Sequence, residues 1–113
     1  MKSRILVVDD EESIREFLEI MLKKEGYEVT TAEDGQKAKE LLQKKSFDMV
    51  ISDLQMPHVT GIELLKHVKE SYPDTVFMLI TAFGTTETAV EAMKMGAYDY
   101  LTKPFGMNEL LAR

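Results

Sequence analysis

Asp48-Met49-Val50-Ile51-Ser52-Asp53-Leu54-Gln55-Met56-Pro57 is the stretch on which the fold of this chain turns. Val50 and Ile51 are stiff β-branched residues, so the apolar run reads as a buried strand. Pro57 has no N–H to donate and cannot extend that strand, which forces the chain to turn. Asp53 is thereby set at the carboxyl end of a central strand, the edge at which open α/β sheets build their sites. A lone carboxylate there can simply cap a following helix. Chemistry is indicated only by what stands at the other strand ends.

Working outward, residues 5–8 (Ile-Leu-Val-Val) form a continuous apolar run of the kind buried on both faces. Asp9-Asp10-Glu11-Glu12-Ser13 follows, then a helix with Ile14, Phe17, Leu18, Met21 and Leu22 at three- and four-residue spacing. Lys23-Lys24-Glu25-Gly26 closes it, with cations in the last turn and glycine past the end. Residues 27–32 read as a second strand, and Asp34-Gly35 opens a helix that carries Ala38, Leu41 and Leu42 and ends in Lys44-Lys45. A third strand over 47–53 leads through a loop at 54–60 into a helix from Gly61 with Ile62, Leu64, Leu65 and Val68. Tyr72-Pro73-Asp74 is a turn. Residues 76–80 are a fourth buried strand ending at Thr81, 85–95 a helix stopped by Gly96, and 98–102 a fifth strand. Lys103-Pro104-Phe105 breaks the pattern before a last helix begins at 108–113.

This alternation predicts an α/β fold: a doubly wound, five-stranded parallel sheet with right-handed crossovers and helices on both faces. Residues 1–113 read as one domain, with no internal repeat or linker, and the short final helix is expected to be truncated. A composition of 44% hydrophobic and 30% charged residues is that of a soluble globular protein. The absence of cysteine excludes disulfides and thiolate metal sites and fits the cytoplasm. The amino-terminal apolar run ends in Asp9-Asp10 and is too short for a membrane span. A net charge of −6 argues against nucleic-acid contact.

Because the strands are parallel, Asp9, Asp10, Asp53, Thr81 and Lys103 all arrive at one edge of the sheet. A nucleotide or flavin site would need a glycine- or hydroxyl-rich loop after the first strand. Asp-Asp-Glu-Glu repels anions and attracts a hard cation. Mg²⁺ suits such a cluster, since it takes oxygen ligands, keeps several waters and bridges to phosphate. Lys103 and Thr81 add a point charge and a hydroxyl donor, a set suited to phosphoryl transfer onto a carboxylate.

The residues Asp9-Asp10 after Ile-Leu-Val-Val, Asp53-Leu54-Gln55-Met56-Pro57, Gly61, Ile80-Thr81-Ala82 and Tyr98-Asp99-Tyr100-Leu101-Thr102-Lys103-Pro104-Phe105 carry a resemblance along the chain. The sequence resembles a response-regulator receiver domain of bacterial two-component systems. The run Gly84-Thr85-Thr86-Glu87-Thr88-Ala89-Val90-Glu91-Ala92-Met93 is most similar to receivers of nitrogen-regulation-type enhancer-binding activators. The resemblance implies a flavodoxin-like sheet of order 2-1-3-4-5 and a phospho-acceptor at Asp53. It implies Asp10 as the main acidic Mg²⁺ ligand, Asp9 mostly through water, and the backbone carbonyl of Gln55 as a further ligand. Thr81 and Tyr100 match the switch residues, and Lys103 the lysine that contacts the phosphoryl group. A histidine kinase is the implied donor, and an output domain the implied partner in a longer chain.

The surface built from residues 85–113 is expected to carry a phosphorylation-dependent contact, either a homodimer or the docking of a downstream domain, because Ala89, Val90, Ala92, Met93 and Met95 exceed one buried stripe. His58 and Gly106 depart from the family pattern, in which a small and an acidic residue are usual. Tyr100 is open to a plain packing role as well. His67 is expected to be solvated on a polar helix face, and Met21, Met49 and Met78 to fill core. Two other functions compete: a stand-alone chemotaxis-type receiver with the same site, and a Mg²⁺-dependent phosphohydrolase using an aspartyl-phosphate. The phosphohydrolase pattern Asp-x-Asp needs a second carboxylate where Gln55 stands, so the chain reads as no true enzyme.

Overall fold

Ile5, Leu6, Val7 and Val8 are all but excluded from water, so strand β1 (Arg4–Val8) has protein on both faces. That is the environment of an interior parallel strand. The computed structural model describes residues 3–53, 60–81, 93–94 and 99–102. In order, β1 is followed by α1 (Glu12–Lys24), β2 (Glu28–Ala32), α2 (Gly35–Lys44), β3 (Met49–Asp53), α3 (Gly61–Ser71), β4 (Val76–Thr81) and β5 (Asp99–Thr102). The five strands pair in parallel in the order β2-β1-β3-β4-β5. The expected order and fold are those observed. The expected helix over 85–95 and the last helix over 108–113 lie outside the described residues, apart from Met93 and Lys94, which are helical.

Alternation along the strands divides the core in two. Leu6, Val8, Val50, Phe77 and Leu79 face α2 and α3, meeting Ala38, Leu42, Leu64, Leu65 and Val68. Ile5, Val7, Ile51, Met78 and Ile80 face the other way and meet Leu18 and Leu22 of α1. Each fully buried Leu, Ile or Val contributes about 1.5–3 kcal/mol, and this two-faced burial is what makes β1 and β3 the rigid centre of the sheet. The apolar stripe of α1 is wider than the sheet it covers. Leu18 and Leu22 are buried and Ile14 packs at the margin, but Phe17 remains 42% exposed.

Caps mark the starts of α2 and α3 and the end of α1. Asp34 accepts a hydrogen bond from the Lys37 N–H at 2.8 Å. Thr60 and Glu63 form a capping box at α3. Thr60 is the last residue of the expected loop, and with Glu63 it makes the Thr-x-x-Glu capping pattern that starts the helix at Gly61. At the end of α1, the Gly26 N–H donates to the Lys23 carbonyl and the Tyr27 N–H to the Leu22 carbonyl. This paired arrangement needs a left-handed residue between them, and Gly26 supplies it at φ +94°. Because the cap uses the Tyr27 N–H, β2 starts one residue later than expected, at Glu28.

β3 starts at Met49, two residues later than the expected Phe47. Before it, side chains join the backbone bonds: the Asp48 carboxylate accepts from the Arg4 N–H at 2.7 Å, and the Thr75 hydroxyl donates to the Phe47 carbonyl at 2.9 Å. β5 starts at Asp99, Tyr98 being outside the described residues.

A Cβ built on Gly26 meets nothing within 4 Å, so a substitution there costs backbone conformation alone. Gly26→Ala is expected to lower stability by about 1–2 kcal/mol, read as a shift of the urea midpoint with unchanged m-value. An unshifted midpoint would show that the left-handed cap carries no strain.

Candidate functional site

β1 and β3 run side by side in the register Val8↔Ser52. One further step along both strands sets Asp9 beside Asp53. This is also where the sheet order reverses, since β2 lies on one side of β1 and β3 on the other. Crevices at such switch points, outside the carboxyl ends of the strands, are where doubly wound sheets bind ligands.

Asp9 is fully buried and Asp53 is 6% exposed, while Asp10 is exposed. Oxygens of the three carboxylates lie within 4.8 Å of one another. Unit charges at that spacing repel by roughly 3–4 kcal/mol per pair at an effective dielectric of 20. So close a group needs a counter-charge.

Its donor chemistry is oxygen only, which suits a hard cation. At a Mg–O distance of about 2.1 Å, opposite ligands of an octahedral ion stand about 4.2 Å apart. The cluster therefore has the right size, with a slight contraction or one interposed water bringing all three carboxylates to a single ion.

The chain around the cluster is held by its own hydrogen bonds. The Asp9 N–H donates to the Ala32 carbonyl at the end of β2 (3.2 Å). The Glu11 N–H donates to Asp9 Oδ1 (2.9 Å), a tight turn that launches α1 without a side-chain cap of its own. Buried Ser52 donates its hydroxyl to the Asp53 carbonyl at 2.9 Å, which braces the peptide directly after the carboxylate. Sequence reading passed over Ser52, because one serine in an apolar strand has no periodic signal.

Thr81 ends β4, in register with Thr102 of β5, and Tyr100 pairs with Leu79. The backbone thus brings the ends of β1, β3, β4 and β5 to one edge, as the parallel sheet requires. Gln55, Lys103, His58 and Gly106 lie outside the described residues.

His67 departs from expectation. It is half-buried, not solvated, and meets the Tyr72 ring edge-on with centroids 6.0 Å apart. Its Nε2 is buried with no hydrogen-bond partner among the described residues. The polar face of α3 is thus narrower than the sequence spacing suggested. Met78 is core as expected, and Met21 and Met49 are half-buried.

A doubly wound α/β domain with an acidic, oxygen-only cluster at its switch point belongs to the class built around a hard cation. Residues 5–113 match the response regulator receiver domain, and the chain belongs to that family. It is 38% identical over 109 residues to the response regulator protein PilR of Pseudomonas aeruginosa, covering 96% of this chain and 24% of that protein. Its fold superposes on the chemotaxis protein CheY4 of Vibrio cholerae with TM-score 0.93 and 38% identity, over 99% of this chain and 95% of that one. The beryllofluoride-activated NtrC4 receiver domain dimer gives TM-score 0.92 and 40% identity, over 96% and 90%. The chain spans about a quarter of the length of PilR. The domain is thus a receiver of two-component signalling, with relatives of the nitrogen-regulation type. No described helix is long and apolar enough to cross a membrane.

Mg²⁺ titration followed by amide chemical shifts checks the cluster. Asp10→Asn is expected to weaken binding at least about tenfold, about 1.4 kcal/mol, whereas Glu11→Gln and Glu12→Gln change it little. Equal losses at all three positions would mean diffuse counter-ion attraction and no defined site.

Proposed function

We propose that Asp53 accepts a phosphoryl group from a histidine kinase and that the modified domain switches a downstream output. The observation that carries this reading is the burial of Asp53 at the end of β3, with Asp9 and Asp10 gathered around it. The main chain that carries this carboxylate is held by β3 and by the Ser52 hydroxyl, which donates to the Asp53 carbonyl.

An Asp53 oxygen attacks the phosphorus of a phosphohistidine. The O–P bond forms as the N–P bond breaks, and the bonding pair leaves with the imidazole nitrogen, which takes up a proton. Asp9, Asp10, Asp53 and the carbonyl of Gln55 would hold Mg²⁺. When bound, that ion supplies positive charge to the phosphoryl oxygens. Lys103 adds a second positive charge, and Thr81 gives its hydroxyl to a phosphoryl oxygen once the group is in place. The inward move of Thr81 vacates space beside β5 for the Tyr100 ring, and the surface of residues 85–113 changes with it. Hydrolysis of the acyl phosphate resets the domain, a slow self-reaction and not turnover of an outside substrate.

The output reading draws on PilR, a response regulator of which this chain matches a quarter, and the dimer reading on the NtrC4 receiver dimer. A cytoplasmic location and the absence of nucleic-acid contact by this domain go with the same reading.

With acetyl phosphate and Mg²⁺, the intact mass should rise by one phosphoryl group, and Asp53→Asn should abolish the increase. Labelling of Asp53→Asn to the wild-type extent would place the acceptor elsewhere, and sustained turnover of phosphomonoesters would favour the phosphohydrolase.

Beryllium fluoride, a phosphoryl mimic, should shift the sedimentation coefficient from monomer to dimer and move the resonances of Thr81 and Tyr100. Resonance changes without a dimer would keep the switch and relocate its partner to another domain. No change in either at full occupancy would refute the mechanism.

A further inference from the structure

Arg15, in the first turn of α1, is placed against the usual electrostatics of a helix. The amino-terminal end of a helix carries partial positive charge and favours acidic side chains, so a cation there needs a local partner to offset the cost. The structure provides one. Arg15 Nη1 donates to the main-chain oxygen of Asp9 at 2.8 Å in a part-buried contact. The guanidinium thus sits on the very residue whose carboxylate is the most deeply buried corner of the acidic cluster.

We infer that Arg15 sets the Mg²⁺ affinity of the receiver, as an internal cation that relieves carboxylate repulsion without metal and opposes Mg²⁺ when it binds. The inference rests on the reading of Asp9, Asp10 and Asp53 as the metal site.

Two effects of Arg15 oppose each other, and their relative size decides the sign. As an anchor, Arg15 fixes the Asp9 peptide and would aid metal binding. That anchor does not act alone, because the Asp9 N–H donates to the Ala32 carbonyl and the Asp9 carboxylate accepts from the Glu11 N–H. With its N–H and its carboxylate still held, Asp9 keeps its place when the Arg15 bond to its carbonyl is lost. As a charge, Arg15 repels a dication with twice the energy it would show against a unit charge at the same distance, and partial burial limits the screening. The charge effect is the larger, so Arg15 weakens Mg²⁺ binding and keeps the ion exchangeable.

Three variants separate the effects. Arg15→Met removes charge and hydrogen bond, Arg15→Gln removes the charge but keeps an N–H donor, and Arg15→Lys keeps the charge. Mg²⁺ titrations by amide shifts should show Arg15→Met and Arg15→Gln binding roughly threefold to tenfold tighter than wild type at low salt, with the gain shrinking in high salt. Arg15→Lys should stay within about twofold of wild type. Without metal, the two neutral variants should unfold at lower temperature than wild type, and saturating Mg²⁺ should close the gap.

Unchanged or weaker binding in the neutral variants, or Arg15→Lys behaving like them, would overturn the inference. If Arg15→Met does not fold, Arg15→Gln and Arg15→Lys carry the comparison. Asp10→Asn serves as the control. If it abolishes binding while the neutral variants match wild type, the Arg15 inference alone fails. If it leaves binding intact, the metal-site reading fails and the inference with it.

Discussion

The pairing of β1 with β3 is the contact on which everything else depends. Its register, from Ile5↔Met49 to Val8↔Ser52, fixes which side chains face α1 and which face α2 and α3. A slip of one residue would turn every side chain of β3 to the opposite face. It would drive Ile51 into the wrong cluster and carry Asp53 away from Asp9. Core and site are therefore specified by the same register. At the opposite end of the strands the register is pinned by Asp48, whose carboxylate takes the Arg4 N–H while its own N–H donates to the Arg4 carbonyl at 2.8 Å.

The acidic edge is where the sequence breaks the rules that hold elsewhere. Along the strands, apolar residues meet apolar residues, and the helix ends carry suitable caps. At the carboxyl ends of β1 and β3, like charges gather with one of them fully buried. Local choices that disagree with stability while the surrounding structure holds them in place are the mark of a functional site. The interior strands and the Ser52 hydrogen bond hold the Asp53 main chain in that position.

Much of this was legible in the residues themselves. Runs such as Ile5–Val8 have no polar face to confuse, and the alternation of runs with helical spacing left a parallel sheet as the arrangement. Asp9, Asp10 and Asp53 were legible as a group, because parallel strands deliver their ends to one edge. What escaped was set by tertiary contact. The spacing of Phe17 is that of a buried residue, yet α1 turns it outward. His67 has the spacing of a polar face, yet it is half-buried with Tyr72 edge-on beside it. Arg15 and Ser52 gave no periodic signal, since each acts by reaching a single backbone carbonyl that only the folded chain presents.

The sheet order also governs how the molecule comes into being. Arg4 and Asp48, which clasp each other, are 44 positions apart along the chain. Closing so long a segment costs conformational entropy before any contact rewards it, and parallel pairing of this kind slows folding. Helix α1 and strand β2 form from neighbouring residues, and their cap at Gly26 is complete with nothing beyond Tyr27. Asp53 has no such local route. During synthesis Asp9 and Asp10 stay without their third carboxylate until the third strand leaves the ribosome and docks, so nascent fragments shorter than that lack the assembled acidic cluster.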